Sequence, residues 1–225
     1  LSPGVHLGCT APMRSVNPIP GNPWPHDMVI RIEDAPHALF ELLWLREAYG
    51  LQPTGDDLPP LLVRTPAPAA AVLDADTRAH WESAWTRLWR AASVHAGREQ
   101  DHDQFPRLLA MEPGDPDREN LLRDMMGPTW RDEFGDAAFD DPSYTDHERS
   151  TFEERAAARP HTLADNPEHR DLEALIPAWR AGLTTIITIP CQGEHPRRVG
   201  DNALLVTAGT RADSVAYRRA LSSFP

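Results

Sequence analysis

Cys191, Glu194 and His195 fall within the short stretch Cys191-Gln192-Gly193-Glu194-His195-Pro196-Arg197-Arg198, directly after a β-branched run. A thiol at a strand end, with an imidazole and a carboxylate close by, has the residue types of thiol-based catalysis. Backbone amides near Gly193 would serve as an oxyanion hole. Against this, a nucleophilic cysteine usually takes its histidine from a distant part of the chain, and no nucleophile signature matches. The competing expectation is a hairpin loop with a buried, inert thiol and a solvated Arg197-Arg198 pair.

A second group is Trp130-Arg131-Asp132-Glu133-Phe134-Gly135-Asp136. Arg131, Asp132, Glu133 and Asp136 between two aromatics would support acid–base work or hold a cation. The spacing is not that of an EF-hand loop. The plainer expectation is a turn anchored by Trp130 and Phe134, with the charges paired or facing water. A third group, His95, Asp101, His102 and Asp103, has metal-ligand types at a spacing that matches no known site. His95 reads better as a hydrogen-bonded histidine at the core boundary. Arg197-Arg198 and Arg218-Arg219 would grip a phosphate or carboxylate if they converged. Separate surface ion pairs are the simpler outcome.

What the chain lacks excludes more than these groups establish. It has no lysine, and all 22 basic side chains are arginine. That rules out a P-loop, a protein kinase, Schiff-base or pyridoxal chemistry and Ser-x-x-Lys acylation. There is no glycine-rich dinucleotide loop, Gly-x-Ser-x-Gly elbow or His-Glu-x-x-His. A net charge of −12 argues against nucleic acid and against an anionic membrane surface. No run of apolar residues is long enough for a transmembrane helix. The N-terminal residues lack the charged and apolar regions of a secretory signal. The chain opens on Leu1, and Met13 is the expected start. Two cysteines, Cys9 and Cys191, make no disulfide framework and fit a reducing, cytoplasmic setting.

The elements that must position these groups follow from pattern. Residues 1–27 hold Pro3, Pro12, Pro18, Pro20, Pro23 and Pro25 and read as an extended arm, with Trp24 expected to pack on its own domain. A single domain over 28–225 opens with a strand at 28–32. Asp34 is the expected N-cap of a helix carrying Leu39, Leu42, Leu43 and Trp44 and ending near Gly50. Leu61-Leu62-Val63 reads as a short edge strand among prolines. Over 76–96, Trp81, Trp85 and Trp89 share one stripe at helical spacing. Each would bury about 150–250 Å². Gly97 is the expected C-cap. Helices follow near 103–111, at 116–126 with Asp115 as cap, and from a Thr145–Glu148 capping box to about 158. Residues 130–135 read as a loop.

A helix through Leu172, Leu175 and Trp179, kinked at Pro177, leads to a strand at 184–189. A turn-rich stretch at 191–202 and a neighbouring strand at 203–207 follow. Asp213 caps a last helix carrying Tyr217, Leu221 and Phe224. Six or seven helices and three or four strands, with the strands at the two ends, predict a helix-rich α+β domain. Its small sheet joins the N-terminal strand to a C-terminal hairpin. The function expected is a non-catalytic binding or protein-interaction module with a protein or small-molecule partner and no cofactor. The alternatives are a small hydrolase or transferase using a Cys191/His195 thiol site, or a metal-dependent enzyme.

Overall fold

The computed structural model describes residues 23–224 except 100, 102, 161, 163 and 164. Cys9, His102 and the first 22 residues of the expected arm lie outside the described residues. Four strands form one mixed sheet: β1 (Arg31–Glu33), β2 (Thr185–Ile189), β3 (Arg197–Val199) and β4 (Ala203–Thr207), in the order β1-β2-β4-β3. Among the described residues, ten α-helices pack around it in a helix-rich α+β arrangement.

The sheet corrects one expectation. Strands β2 and β4 are neighbours but parallel, with Thr185 opposite Ala203 and Ile189 opposite Thr207. The hairpin at the C-terminal end joins β3 to β4 instead, and β3 lies inside the stretch read as turns. The composition of β2 and β4 explains this. Thr-Ile-Ile-Thr-Ile and Ala-Leu-Leu-Val-Thr are buried at every position. Continuous apolar strands of that kind belong to sheets covered on both faces, which is the usual setting of parallel pairing. Here Ile187, Ile189, Ala203 and Leu205 face one core, with Leu39, Trp44, Trp85 and Trp89. Ile186, Leu204 and Val206 face the other, with Leu175, Tyr217 and Leu221.

The first core is built by α1 (His37–Ala48) and α2 (Ala75–Gly97). Asp74 caps α2 by accepting from the Thr77 amide. Trp85 and Trp89 stack at 5.3 Å, and Trp85 Nε1 donates to the Leu42 carbonyl at 2.7 Å. The tryptophan stripe is therefore core. Gly97 is the last residue of α2 rather than its cap. A Cβ there would lie 2.8 Å from the Cβ of Ala203, so the glycine lets the helix end rest directly on β4. Asp34 does not cap α1, whose N-cap is Pro36. Its carboxylate is held instead by Arg155 at 3.0 Å. Leu62 forms a single antiparallel bridge to Cys191 rather than a strand.

Two short helices follow, α3 (Gln104–Ala110) and α4 (Pro116–Met126), the latter capped by Asp115 as expected. Trp130–Phe134 is a helix, α5, rather than a loop, and Thr129 and Asp132 close its capping box. Helix α6 (Pro142–Ala157) begins before Thr145, because Asp141 caps it and Pro142 takes its first position. In the same way Asn166 and Pro167 open α7 (Pro167–Arg170), which runs into α8 (Leu172–Arg180). Thr207 caps α9 (Ala208–Ala212) and Asp213 caps α10 (Ser214–Ser222). Trp24 is buried in the second core. Its Nε1 donates to the Met28 carbonyl at 2.9 Å and its ring lies 4.8 Å from that of His169, so packing begins ahead of Met28.

Candidate functional site

Cys191 leaves the end of β2 and turns into the first core, where 1% of its surface is exposed. Burial pushes its thiol up to about 12, although the Arg46 guanidinium works in the opposite direction. Thiolate chemistry near neutral pH needs a depressed pKa and access. His195 is also buried, and no hydrogen bond joins it to Cys191. Loss of hydration, aided by the Arg197 charge, lowers its imidazole to about 4. Glu194 points elsewhere and pairs with Arg219 at 2.9 Å. The three residues do not form a catalytic relay. The surroundings of the pair are a structural knot. Arg46 donates to the carbonyls of Pro59 and Pro60, and Glu47 accepts from the Leu62 amide at 2.6 Å.

The second group is dispersed by its partners. Arg131 stacks over Phe139 at 4.1 Å and donates to the buried carboxylate of Glu41 at 2.6 Å and to Asp136 at 3.0 Å. Burial alone would lower the Arg131 pKa. The hydrogen bond and charge of Glu41 raise it instead. Asp132 caps α5, and Glu133 accepts from Arg87 at 2.6 Å. Arg131 fastens α5 to α1 and Glu133 fastens it to α2, while Asp132 and Asp136 bond locally.

The third group also has partners: His95 contacts the Asp124 carbonyl at 2.9 Å, and Asp101 holds Arg107 at 2.6 Å. No cluster of three or more metal-ligating side chains occurs among the described residues. The arginine pairs do not converge. Arg197 reaches Asp57, Arg198 reaches Asp201, and Arg218 reaches Asp171.

Two carboxylates that the sequence did not single out are the most deeply buried acids among the described residues. Glu168 on α7 is fully enclosed. It accepts from Arg211 Nε and Nη2 at 2.8 and 2.7 Å and from the Tyr217 hydroxyl at 2.9 Å. Asp171, equally buried, holds Arg170, Arg218 and the Ser214 hydroxyl. Burial alone would favour its neutral acid. Hydrogen bonds from Ser214, Arg218 and Arg170 overcome that and hold its carboxyl below the usual range. Their oxygens are satisfied within the chain, so the pair staples α7 to α9 and α10.

An open groove lies on the outer face of α2. A groove of about 690 Å³ runs past Ser83, Arg87, Arg90, Val94, Arg98 and Pro128. It adjoins a second of about 320 Å³ walled by Gln52 and Thr54, with Ser83 and Thr86 shared. Arg87 is paired with Glu133, and Arg98 with Asp124 at 3.6 Å. Arg90, between them, has no carboxylate within ion-pair distance among the described residues. Helical periodicity already assigns Arg87 and Arg90 to the polar side of α2. The groove itself needs walls from residues 52–54 and 128, which no local pattern places there.

Comparison with known proteins gives no matching family, no similar curated protein and no similar solved structure. Among the described residues, no helix is long and apolar enough to cross a membrane.

Proposed function

We propose that the protein is a protein-interaction module whose α2 groove receives an acidic segment of a partner protein. The observation that carries this reading is Arg90, an exposed guanidinium with no ion-pair partner among the described residues, in the middle of a groove whose other arginines are paired. A guanidinium fork fits carboxylates bidentately. In a chain of net charge −12, a local arginine stripe marks where an acidic partner is tolerated. The buried, protonated state of Cys191 favours binding over thiol catalysis. The free thiol suits a reducing compartment, and a cytoplasmic location belongs to this reading.

The probe is a fluorescein-labelled peptide of Glu and Leu, roughly 16 residues long, to match the Ser83–Arg98 span of the groove. Fluorescence anisotropy should show binding that weakens with salt and falls about tenfold in Arg90→Glu. A peptide with Lys in place of Glu should not bind. Equal binding of wild type and Arg90→Glu would overturn the reading. So would tighter binding of a single-stranded DNA oligomer.

A further inference from the structure

The depression on α2 changes sign along its length. The charged residues that line its larger hollow are Arg87, Arg90 and Arg98, all basic. The smaller hollow is lined by Gln52, Thr54, Ala79, Glu82, Ser83 and Thr86, and its charged residue is Glu82. Ser83 and Thr86 belong to both, so the two hollows are continuous.

Glu82 stands to the smaller hollow as Arg90 stands to the larger. It is half-buried, and among the described residues no cation lies within ion-pair distance of its carboxylate. Arg78, one turn back on α2, is committed to the carbonyls of Tyr49 and Gly50. Glu82 Oε1 accepts the Gln52 backbone N–H at 2.8 Å. Its Oε2, the Ser83 hydroxyl and the Gln52 side-chain amide have no hydrogen-bond partner among the described residues. Each offers an oxygen acceptor, and a lysine ammonium or an arginine guanidinium is a pure donor. The wall of this hollow is fixed. The Thr86 hydroxyl donates to the Thr54 carbonyl at 3.0 Å. A Cβ at Gly55 would lie 3.2 Å from Thr86 Cγ2 and 3.8 Å from Arg90 Nη2. The loop that walls the Glu82 hollow therefore also reaches the Arg90 guanidinium. Along the α2 axis, Glu82 and Arg90 are about 12 Å apart.

We infer that the smaller hollow is a cation subsite, which takes a basic side chain of the partner segment against Glu82. The inference rests on the interaction reading above and adds to its chemistry. The segment is acidic where it crosses Arg90 and basic about 12 Å away, at the Gln52–Glu82 end. Matching both signs sets the direction in which the segment lies. A uniformly acidic segment reaching past Ser83 brings a carboxylate against Glu82, and that repulsion counts against it.

The test uses unlabelled competitors that displace the labelled Glu/Leu peptide described above. Each is that peptide extended at one end by Gly-Lys-Lys, Gly-Gln-Gln or Gly-Glu-Glu, with both termini blocked so that terminal charges play no part. At one end of the peptide, the Lys extension should compete about fivefold better than the Gln extension, and the Glu extension should be the weakest. The advantage of Lys over Gln should vanish in Glu82→Gln, whose amide keeps an oxygen for the Gln52 N–H. The Gln-extended peptide should bind wild type and Glu82→Gln alike, which shows that the groove is intact. Equal competition by the Lys and Gln extensions at both ends overturns the cation subsite and leaves the acidic-segment reading standing. A Lys advantage that survives Glu82→Gln comes from the net charge of the chain, and it too overturns the subsite. If no peptide binds, both readings fall.

Discussion

Protonation of His195 should cost the fold in a way that can be measured apart from everything else that titrates. The residue is 6% exposed, and its imidazole is lowered from 6.5 to about 4, by loss of hydration and by Arg197 with a smaller part from Arg46. Asp57 opposes them and does not win. Because the folded pKa lies below the unfolded one, the native state binds fewer protons. Stability is at its full value above pH 6.5 and is lost as the pH falls through about 4. Linkage puts the loss at about 2 kcal/mol by pH 5 and about 3 kcal/mol by pH 4.

The perturbation is His195→Gln, which keeps a polar side chain of similar size and removes the proton site. Urea unfolding of both proteins at pH 8, 6 and 5 gives the stability difference at each pH. His147, lowered by its own burial, and the carboxylates titrate in both proteins and cancel. The stability advantage of wild type over the variant should shrink by about 2 kcal/mol between pH 8 and 5. A difference that stays constant to within about 0.5 kcal/mol would show that His195 is solvated and that its burial does not govern its charge.

Three further outcomes follow from packing and charge. Glu168→Gln leaves Arg211 with an unmatched buried charge and should cost about 3–5 kcal/mol, lowering Tm by about 10 °C in calorimetry; a shift under about 2 °C would refute the staple. Gly97→Ala gains helix propensity of about 1 kcal/mol, but the Cβ clash with Ala203 should outweigh it, and adding Ala203→Gly should recover much of the loss in a double-mutant cycle; additive losses would show no contact. In a Cys9→Ser protein, Cys191 at pH 8 should resist a thiol reagent until urea is added, because a thiol near 12 is thiolate to about one part in ten thousand; rapid labelling of the folded protein would refute its burial.

How far the sequence reached depended on whether a feature was local. The tryptophan stripe of α2 is a matter of spacing along one helix, and it falls in the core as periodicity requires. The parallel pairing of β2 with β4 is not local. It depends on helices covering both faces, and the same Ile/Leu/Val runs would serve a hairpin. Asp115-Pro116, Asp141-Pro142 and Asn166-Pro167 are one device used three times, an Asx cap followed by proline at the first helical position. The expected start at Thr145 lies three residues inside α6, and the Asn166-Pro167 start of α7 is a further instance of the same device. For the site, residue type gave Cys191 and His195, but burial decides what they can do, and burial comes from β2 and the Pro59–Pro60 knot. Glu168 and Asp171 drew no notice because Asn-Pro-Glu-His-Arg-Asp looks like a solvated turn until Arg211 and Arg218 arrive from α9 and α10.

The register of the sheet also governs how the molecule is made. Among the described residues strand β1 has one partner, β2, and Glu33 waits for Ile187 across residues 34–186. Closing a loop of roughly 150 residues costs about 4 kcal/mol in chain entropy before any pairing is gained. At about 5–20 residues per second, a ribosome needs roughly 10–30 s to synthesise that stretch. Throughout that interval Met28, Ile30 and Ile32 stand as an apolar strand with neither its neighbour nor its covering helices. The nascent chain therefore carries its N-terminal strand without its neighbour throughout the synthesis of residues 34–186.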